Sequence, residues 1–295
     1  MIPFPDISPE IFSIELFGVN LVLRWYAVSY ILGFICALYL MKFFVAKEHL
    51  WSLGGPPLSK DQADAFLTYL ILGVIFGGRL GYVFFYNLQY YFSNPLAIFK
   101  IWDGGMAFHG GLIGVIAAVI LFCRANKLSL WPTADLIAVS TPPGLLFGRV
   151  ANFINAELWG RPTEVYWGVI FPGELAQQCD GVTGPCARHP SQLYEAGLEG
   201  LLLLIVLIYI ALKGGLKRPG CLTGIFALGY GASRFLVEFF RVPDPQFFSQ
   251  GNPFGFAFKL GDYGITMGQS LSLPMILFGI ILCIRSAGYK EDPQR

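Results

Sequence analysis

In LGYGASRFLVEFFR, residues 228–241, four polar side chains interrupt an apolar run: Tyr230, Arg234, Glu238 and Arg241, spaced 4, 4 and 3. At 3.6 residues per turn this spacing lines them along one helix face. A second stretch, GRVANFINAELWGR (148–161), gathers Arg149, Asn152, Asn155, Glu157 and Arg161 within 14 residues. Arg149 and Asn152 share a face at i, i+3, Glu157 follows as the helix ends, and Gly148 and Gly160 leave room for close approach. A guanidinium fork suits phosphate, and an asparagine amide hydrogen-bonds an ester or glycerol oxygen. Arg149 and Arg234, on different segments, can therefore hold one phosphodiester between them. The plainer alternative for the stripe is an internal Arg–Glu pair that only joins helices, but such pairs are usually no more stabilising than apolar packing.

Three further groups carry polar chemistry. WDGGMAFHGGLIG (102–114) sets His109 beside Gly110 and Gly111, where another chain or a lipid can come close; on its own it reads as a buried, hydrogen-bonded histidine. RHPSQLYE (188–195) places His189 and Glu195 at the mouth of another apolar run, and RWYAVSY (24–30) contributes Arg24 and Tyr26. The only other histidine is His49, and the three are far apart with no HExxH, so zinc chemistry is not expected. No G-x-S-x-G elbow and no nucleotide loop occur. The reading requires neither metal nor cofactor.

The elements that must position these groups are apolar throughout. Of 295 residues 55% are hydrophobic, 16% aromatic and only 13% charged, with a mean hydropathy of +0.59. A soluble domain carries about 25% charged residues. So little charge cannot cover a water-facing surface, and the chain reads as an all-α polytopic membrane protein. A net charge of +1 argues against nucleic acid as a partner. Apolar runs of helical length lie near 21–41, 64–87, 106–123, 134–155, 193–212, 221–240 and 267–285, a bundle of about seven transmembrane helices. Arg24, Arg79, Arg149 and Arg234 then fall within spans, where a charge costs at least about 2.5–3.5 kcal/mol and marks function.

The remaining basic residues orient the bundle. With the N-terminus outside, 11 of the 20 Lys and Arg fall in cytoplasmic segments and 5 in external ones, so the C-terminus is inside. The N-terminus, MIPFPDISPE, does not read as a cleavable signal peptide. Residues 1–20 are expected to form an N-terminal interfacial arm, 21–285 the transmembrane bundle and 286–295 a cytoplasmic tail. The external segments 156–192 and 241–266 are expected to build a small head over the external membrane face, in which EVYWGVIFPG suggests a short strand or hairpin. Gly73, Gly77, Gly81, Gly110 and Gly114, at spacing four, form ridges for close helix packing. Cys179 and Cys186 bracket CDGVTGPC; they can pair if the loop faces an oxidising compartment and otherwise remain two free thiols.

Taken together, WDGGM with HGG, GRVANFINAELWGR, RHPSQLYE and GYGASRFLVEFFRVPD resemble the prolipoprotein diacylglyceryl transferase family; GGRLGYVFFYN and MGQSLSLPM fit as well. The resemblance runs from about residue 24 to 275 and is weakest over 173–187. It implies seven spans in the bacterial inner membrane, with the active site opening to the periplasm. It further implies transfer of the diacylglyceryl group of phosphatidylglycerol to the lipobox cysteine of a preprolipoprotein, giving a thioether and glycerol phosphate. The family's functional set falls on Tyr26, His109, Arg149, Asn152, Glu157, Gly160, Tyr230, Arg234, Glu238 and Arg241. Catalysis is expected from His109, Arg149, Arg234, Tyr26, Glu157 and Glu238, and substrate binding from Arg149, Asn152, Gly160, Tyr230, Arg241 and His189. His109 takes the thiol proton or, alternatively, paired arginines lower the thiol pKa. Glu157 and Glu238 are expected to orient the arginines. The competing reading is a lipid-binding or transport protein without catalysis, against which stands the lack of an inverted repeat or paired broken spans.

Overall fold

A backbone in hydrocarbon must close its hydrogen bonds within each segment, and helices accordingly dominate. The computed structural model describes residues 1–16, 19–52, 54–100, 104–179, 184–243, 245–261 and 263–289. Trp102 and Asp103 of the WDGGM stretch, residues 180–183 of the cysteine loop and the tail beyond residue 289 lie outside the described residues. Among the described residues there are three two-stranded ladders: β1 (Ile2–Pro3) runs parallel to β4 (Val169–Ile170), β2 (Glu10–Leu16) pairs antiparallel with β3 (Val19–Arg24), and β5 (Phe258–Leu260) pairs with β6 (Tyr263–Ile265). The helices are α1 (Trp25–Val45), α2 (Lys60–Tyr86), α3 (Leu88–Ser93), α4 (Phe108–Asn126), α5 (Leu130–Ser140), α6 (Pro142–Ile154) and α7 (Glu174–Gln177). After these come α8 (Ser191–Glu195), a π-helical stretch (Ala196–Leu202) and α9 (Leu203–Leu212), which form one continuous helix. α10 (Cys221–Val237) and α11 (Met267–Ala287) follow.

Among the described residues, α1, α2, α4, the Ser191–Leu212 helix and α11 are long and apolar enough to cross a bilayer, while α10 is apolar but only 17 residues long. The run expected as one span over 134–155 is broken at Thr141 into α5 and α6. Pro142 and Pro143 cause the break: neither offers an N–H, and proline starts a helix better than it continues one. Ile31, Ile35, Phe76, Ile113, Ile205, Leu277 and Ile284 point outward and exposed, a surface suited to lipid rather than water.

The arm departs from expectation. It is a β-hairpin that continues to Arg24, and the first helix starts only at Trp25. Arg24 is therefore not inside a span: its side chain is 63% exposed and pairs with Glu10 at 3.2 Å. The short strand anticipated in 156–192 is β4; Val169 bridges Arg188 within the segment, and β4 also pairs with the N-terminus, so residues 1–4 are sewn into the head. Phe4, Phe153 and Phe171 pack together there. Arg188 lies 4.0 Å over Trp159 and donates to the carbonyls of Ala176 and Gln178, and Cys179 and Cys186 are joined in a disulfide.

The glycine ridges pack as read. A Cβ on Gly77 or Gly110 would collide with the backbone of the facing helix, so α2 and α4 meet glycine to glycine. The main apolar core gathers Phe44 at the end of α1, Phe66 at the start of α2, Phe122 at the end of α4, Leu207 in α9 and Leu222 at the start of α10. Tyr26, Arg149, Glu195 and Arg234 sit at the opposite ends of their helices, so one end of the bundle is oily and the other polar. Asp135 of α5 fixes the start of α10, accepting hydrogen bonds from the backbone N–H of Gly220 and Thr223 and from the Thr223 hydroxyl, each at 2.7 Å. That clamp sets the rotation of the helix carrying the polar stripe.

Candidate active site

The centre of the polar end is Glu195, fully buried where α8 passes into the π-helical stretch. Its Oε1 accepts hydrogen bonds from Arg234 at 2.9 Å and Arg241 at 2.6 Å. Its Oε2 lies 2.8 Å from Nε of Arg149. One carboxylate thus holds three guanidiniums from two parts of the fold. Glu238 supports the same group: its Oε2 is 2.8 Å from Nη2 of Arg234 and 3.7 Å from Nε of Arg241. The Glu238 carboxylate also accepts the Thr266 hydroxyl at 3.0 Å, at the N-cap of α11, where the helix dipole favours an anion. Tyr230 completes the stripe, buried within electrostatic reach of Arg149 and Arg234.

Arg149 is brought to this cluster by a close helix crossing. A Cβ on Gly200 would stand 2.7 Å from the Cα of Leu146, so α6 can lie against the π-helical stretch only because residue 200 has no side chain. Arg149, one turn beyond Leu146, then faces both Glu195 and Glu199. The three arginine side chains remain 15–20% exposed, enough for an anion to reach them.

A second polar group lies one turn along α6. Tyr26 donates to the Glu157 carboxylate, and Asn152 donates both to Glu157, at 2.6 Å, and to the Tyr26 hydroxyl. Ala156 and Leu158, at φ 52° and 55°, flank Glu157 in the left-handed region, which non-glycine residues rarely occupy and which concentrates at functional sites. The turn is pinned from α8: Gln192 donates to the Glu157 carbonyl at 2.5 Å and Ser191 to the Leu158 carbonyl at 3.0 Å. Burial pushes the Glu157 carboxyl above its ordinary range. Glu157 was expected to orient the arginines; instead it orients Tyr26 and Asn152, because the tight turn after α6 carries it away from the guanidiniums, and Glu195 takes that role.

Gly160 and His189 occupy a seam between these groups. The Gly160 N–H donates to the His189 carbonyl at 2.8 Å, and a Cβ there would come within 2.4 Å of the Phe240 carbonyl oxygen. The His189 Nδ1 lies 3.0 Å from the Tyr194 hydroxyl, its ring edge-on to Phe240, and burial pushes its pKa down. His109, at the second position of α4, belongs to the α2–α4 pair, not to the helices bearing the arginines. Arg79, on the same pair, is buried and donates to the carbonyls of Ala97, Ile98, Lys100, Gly104 and Gly105, holding the segment that leads into α4.

The sequence places Tyr230, Arg234, Glu238 and Arg241 on one face and groups Arg149 with Asn152 and Glu157; the structure joins Arg149 to the stripe through Glu195 and brings Tyr26 to Asn152 and Glu157. Sequence reasoning undervalued Glu195 and passed over Glu199. The signal was present: two glutamates at i, i+4 inside an otherwise apolar span.

Fold and site define a polytopic membrane protein with a cluster of arginines and buried glutamates at one end. The family model described as prolipoprotein diacylglyceryl transferase matches residues 12–285. A phosphatidylglycerol–prolipoprotein diacylglyceryl transferase of Cereibacter sphaeroides (strain ATCC 17029) is 59% identical over 286 residues, 97% of this chain and 98% of the relative. Proteins of the same name from Roseobacter denitrificans and Rhizobium leguminosarum are 56% and 45% identical, each over 97% of this chain and over 97% and 94% of their own length. The chain belongs to the prolipoprotein diacylglyceryl transferase family, and it is a membrane-embedded transferase.

Proposed function

We propose that this chain transfers the diacylglyceryl group of phosphatidylglycerol to the lipobox cysteine of a preprolipoprotein, the first step of bacterial lipoprotein maturation. The thiol sulfur attacks C3 of the lipid glycerol, the C–O bond to phosphate breaks, and glycerol phosphate leaves as the thioether forms. The leaving phosphate gains negative charge, and preorganised donors aimed at that charge lower the barrier. Arg149, Arg234 and Arg241 are the donors. Glu195 and Glu238 keep them aligned, which spares the reaction the cost of reorganising them. The observation that carries the reading is the single buried carboxylate of Glu195 holding all three guanidiniums.

The other residues take supporting parts. Tyr26, Asn152 and Glu157 offer a hydroxyl, an amide and a carboxylate for the glycerol headgroup or the incoming peptide, and Tyr230 lines the phosphate side. Gly160 and His189 shape the seam beside them. A free cysteine titrates near 8.5, so the thiol must lose its proton; His109 can accept it, or the arginine field can lower the thiol pKa, and the pH profile of His109→Gln separates the two. The chain sits in the bacterial inner membrane with the N-terminus periplasmic and the C-terminus cytoplasmic, as the 11-to-5 distribution of Lys and Arg supports. On that orientation the polar end opens outward, where lipid headgroup and lipobox meet.

Purified protein supplied with labelled phosphatidylglycerol and a lipobox peptide tests the proposal. Thioether product is expected; lipid binding without product would replace the enzyme reading with that of a lipid-binding or transport protein.

A further inference from the structure

One arginine at the polar end has no carboxylate of its own. Arg161 follows Gly160 in the seam, and its backbone is fixed on both sides. Its N–H donates to the Phe240 carbonyl at 2.8 Å, and its carbonyl accepts from the His189 N–H at 3.0 Å. The residue is partly buried. Its Nε donates to the Arg241 carbonyl at 2.8 Å, which ties the guanidinium to the chain leaving α10. Among the described residues, neither terminal nitrogen of Arg161 has a hydrogen-bond acceptor or a carboxylate at ion-pair distance. The neighbouring arginines differ. Arg149, Arg234 and Arg241 each lie within 2.9 Å of a Glu195 oxygen. Arg188 spends its three nitrogens on the carbonyls of Ala176, Gly160 and Gln178. Arg161 is thus anchored by one nitrogen and presents the other two, the edge of a guanidinium that takes two oxygens of one anion.

Charge points to the same ligand. Arg149, Arg161, Arg234 and Arg241 face three carboxylates, Glu195, Glu199 and Glu238, so with every group ionised one positive charge is unmatched. Glu238 is the carboxylate within electrostatic reach of Arg161, and it already holds Arg234 at 2.8 Å. Glu157 is engaged with Tyr26 and Asn152 instead. Burial pushes the Arg161 pKa down, and Glu238 offsets this only in part: the guanidinium has lost water without gaining a counterion of its own. One docked negative charge supplies it.

We propose that Arg161 is a specificity-determining residue: its open guanidinium edge binds the lipid phosphate and selects a headgroup of net negative charge. The anchor to Arg241 holds that edge in place before the lipid arrives, so the cluster need not rearrange. A phosphodiester with an uncharged headgroup brings the single negative charge that Arg161 lacks. A zwitterionic lipid brings the same phosphate together with an ammonium group, which is repelled by the unmatched cation. Removing Arg161 therefore costs the anionic lipid an attraction. For the zwitterionic lipid the lost attraction is offset by the lost repulsion.

This proposal rests on the lipid phosphate being the ligand of the arginine cluster. The test compares wild type with Arg161→Gln and Arg161→Lys as full chains in detergent micelles. Binding of phosphatidylglycerol and of phosphatidylethanolamine is measured, with transfer to a lipobox peptide followed in parallel. Wild type is expected to prefer phosphatidylglycerol. Arg161→Gln is expected to weaken phosphatidylglycerol binding and raise its KM roughly tenfold or more, with kcat falling less. Its binding of phosphatidylethanolamine should change little, so the preference narrows. Arg161→Lys keeps the charge without the fork, and is expected to retain the preference while losing part of the phosphatidylglycerol affinity. Unchanged phosphatidylglycerol binding in Arg161→Gln overturns the proposal. Equal weakening for both lipids with a lower thermal midpoint also overturns it, leaving Arg161 as a brace for the Arg241 backbone. If Arg161→Gln does not fold, Arg161→Lys decides, and an unchanged KM for phosphatidylglycerol in that variant overturns the proposal. Arg161-dependent lipid binding without thioether product from wild type overturns the transferase reading and leaves the role of Arg161 standing.

Discussion

Arg149 of α6 and Arg234 of α10 are joined through a single carboxylate, Glu195, at 2.8 and 2.9 Å on its two oxygens. The two guanidiniums are therefore held side by side although 85 residues separate them in the chain, and the carboxylate between them fixes their planes. A phosphate entering the cluster meets donors already in place.

Lysine would keep the charge at either position but lose the planar fork. A charge-assisted hydrogen bond contributes about 1.5–3 kcal/mol, and about 1.4 kcal/mol is tenfold in rate. Arg149→Lys and Arg234→Lys should each lower turnover roughly ten- to a hundredfold, with the protein still inserted and its thermal midpoint little changed. Wild-type rates in both variants would leave the arginines a structural role only.

Arg79 provides the contrast. Its guanidinium satisfies carbonyls of five residues between Ala97 and Gly105, and a lysine ammonium has only three donors with which to replace them. Arg79→Lys should lower the thermal midpoint and expose the 95–105 segment to protease, while losing less turnover than the two clamp variants. A loss of turnover equal to theirs without any change in stability would show that Arg79 takes part in the chemistry.

At Gly160 the constraint is space. Gly160→Ala puts a methyl group against the Phe240 carbonyl and the His189 backbone, and the seam must open. We expect activity and thermal midpoint to fall together. If activity falls while the midpoint holds, the glycine meets substrate directly.

His189 gives a pH dependence of defined sign. Burial holds its folded pKa below the ordinary value of 6.5, so the unfolded chain binds the proton more readily. The contribution to stability is full above about pH 6.5 and is lost as pH falls through the lower, folded value. Thermal midpoints measured between pH 5 and 8 should drop on the acid side, and His189→Gln should flatten that part of the curve. An unchanged acid limb in the variant would assign it to other groups.

The sequence by itself determined the membrane class, most of the helical segments and the polar face of α10, because each follows from local quantities. Apolar content sets the solvent a chain can live in, and a spacing of 4, 4 and 3 puts Tyr230, Arg234, Glu238 and Arg241 on one face of any helix containing them. The glycine ridges were legible for the same reason, since spacing four is a property of a single helix. Partnership was not. Whether Glu157 or Glu195 would hold Arg149 depends on the left-handed turn at Ala156 and Leu158 and on α6 lying against the π-helical stretch at Gly200, and neither is encoded in the spacing of Arg149 from any carboxylate. Arg24 fell outside the span for a similar reason: an apolar stretch can satisfy its backbone in a hairpin as well as in a helix, and only the pairing of β2 with β3 decided between them. Only the tertiary structure could choose among carboxylates of equal chemistry, because the choice is made by helix rotation and close approach between segments distant in the chain.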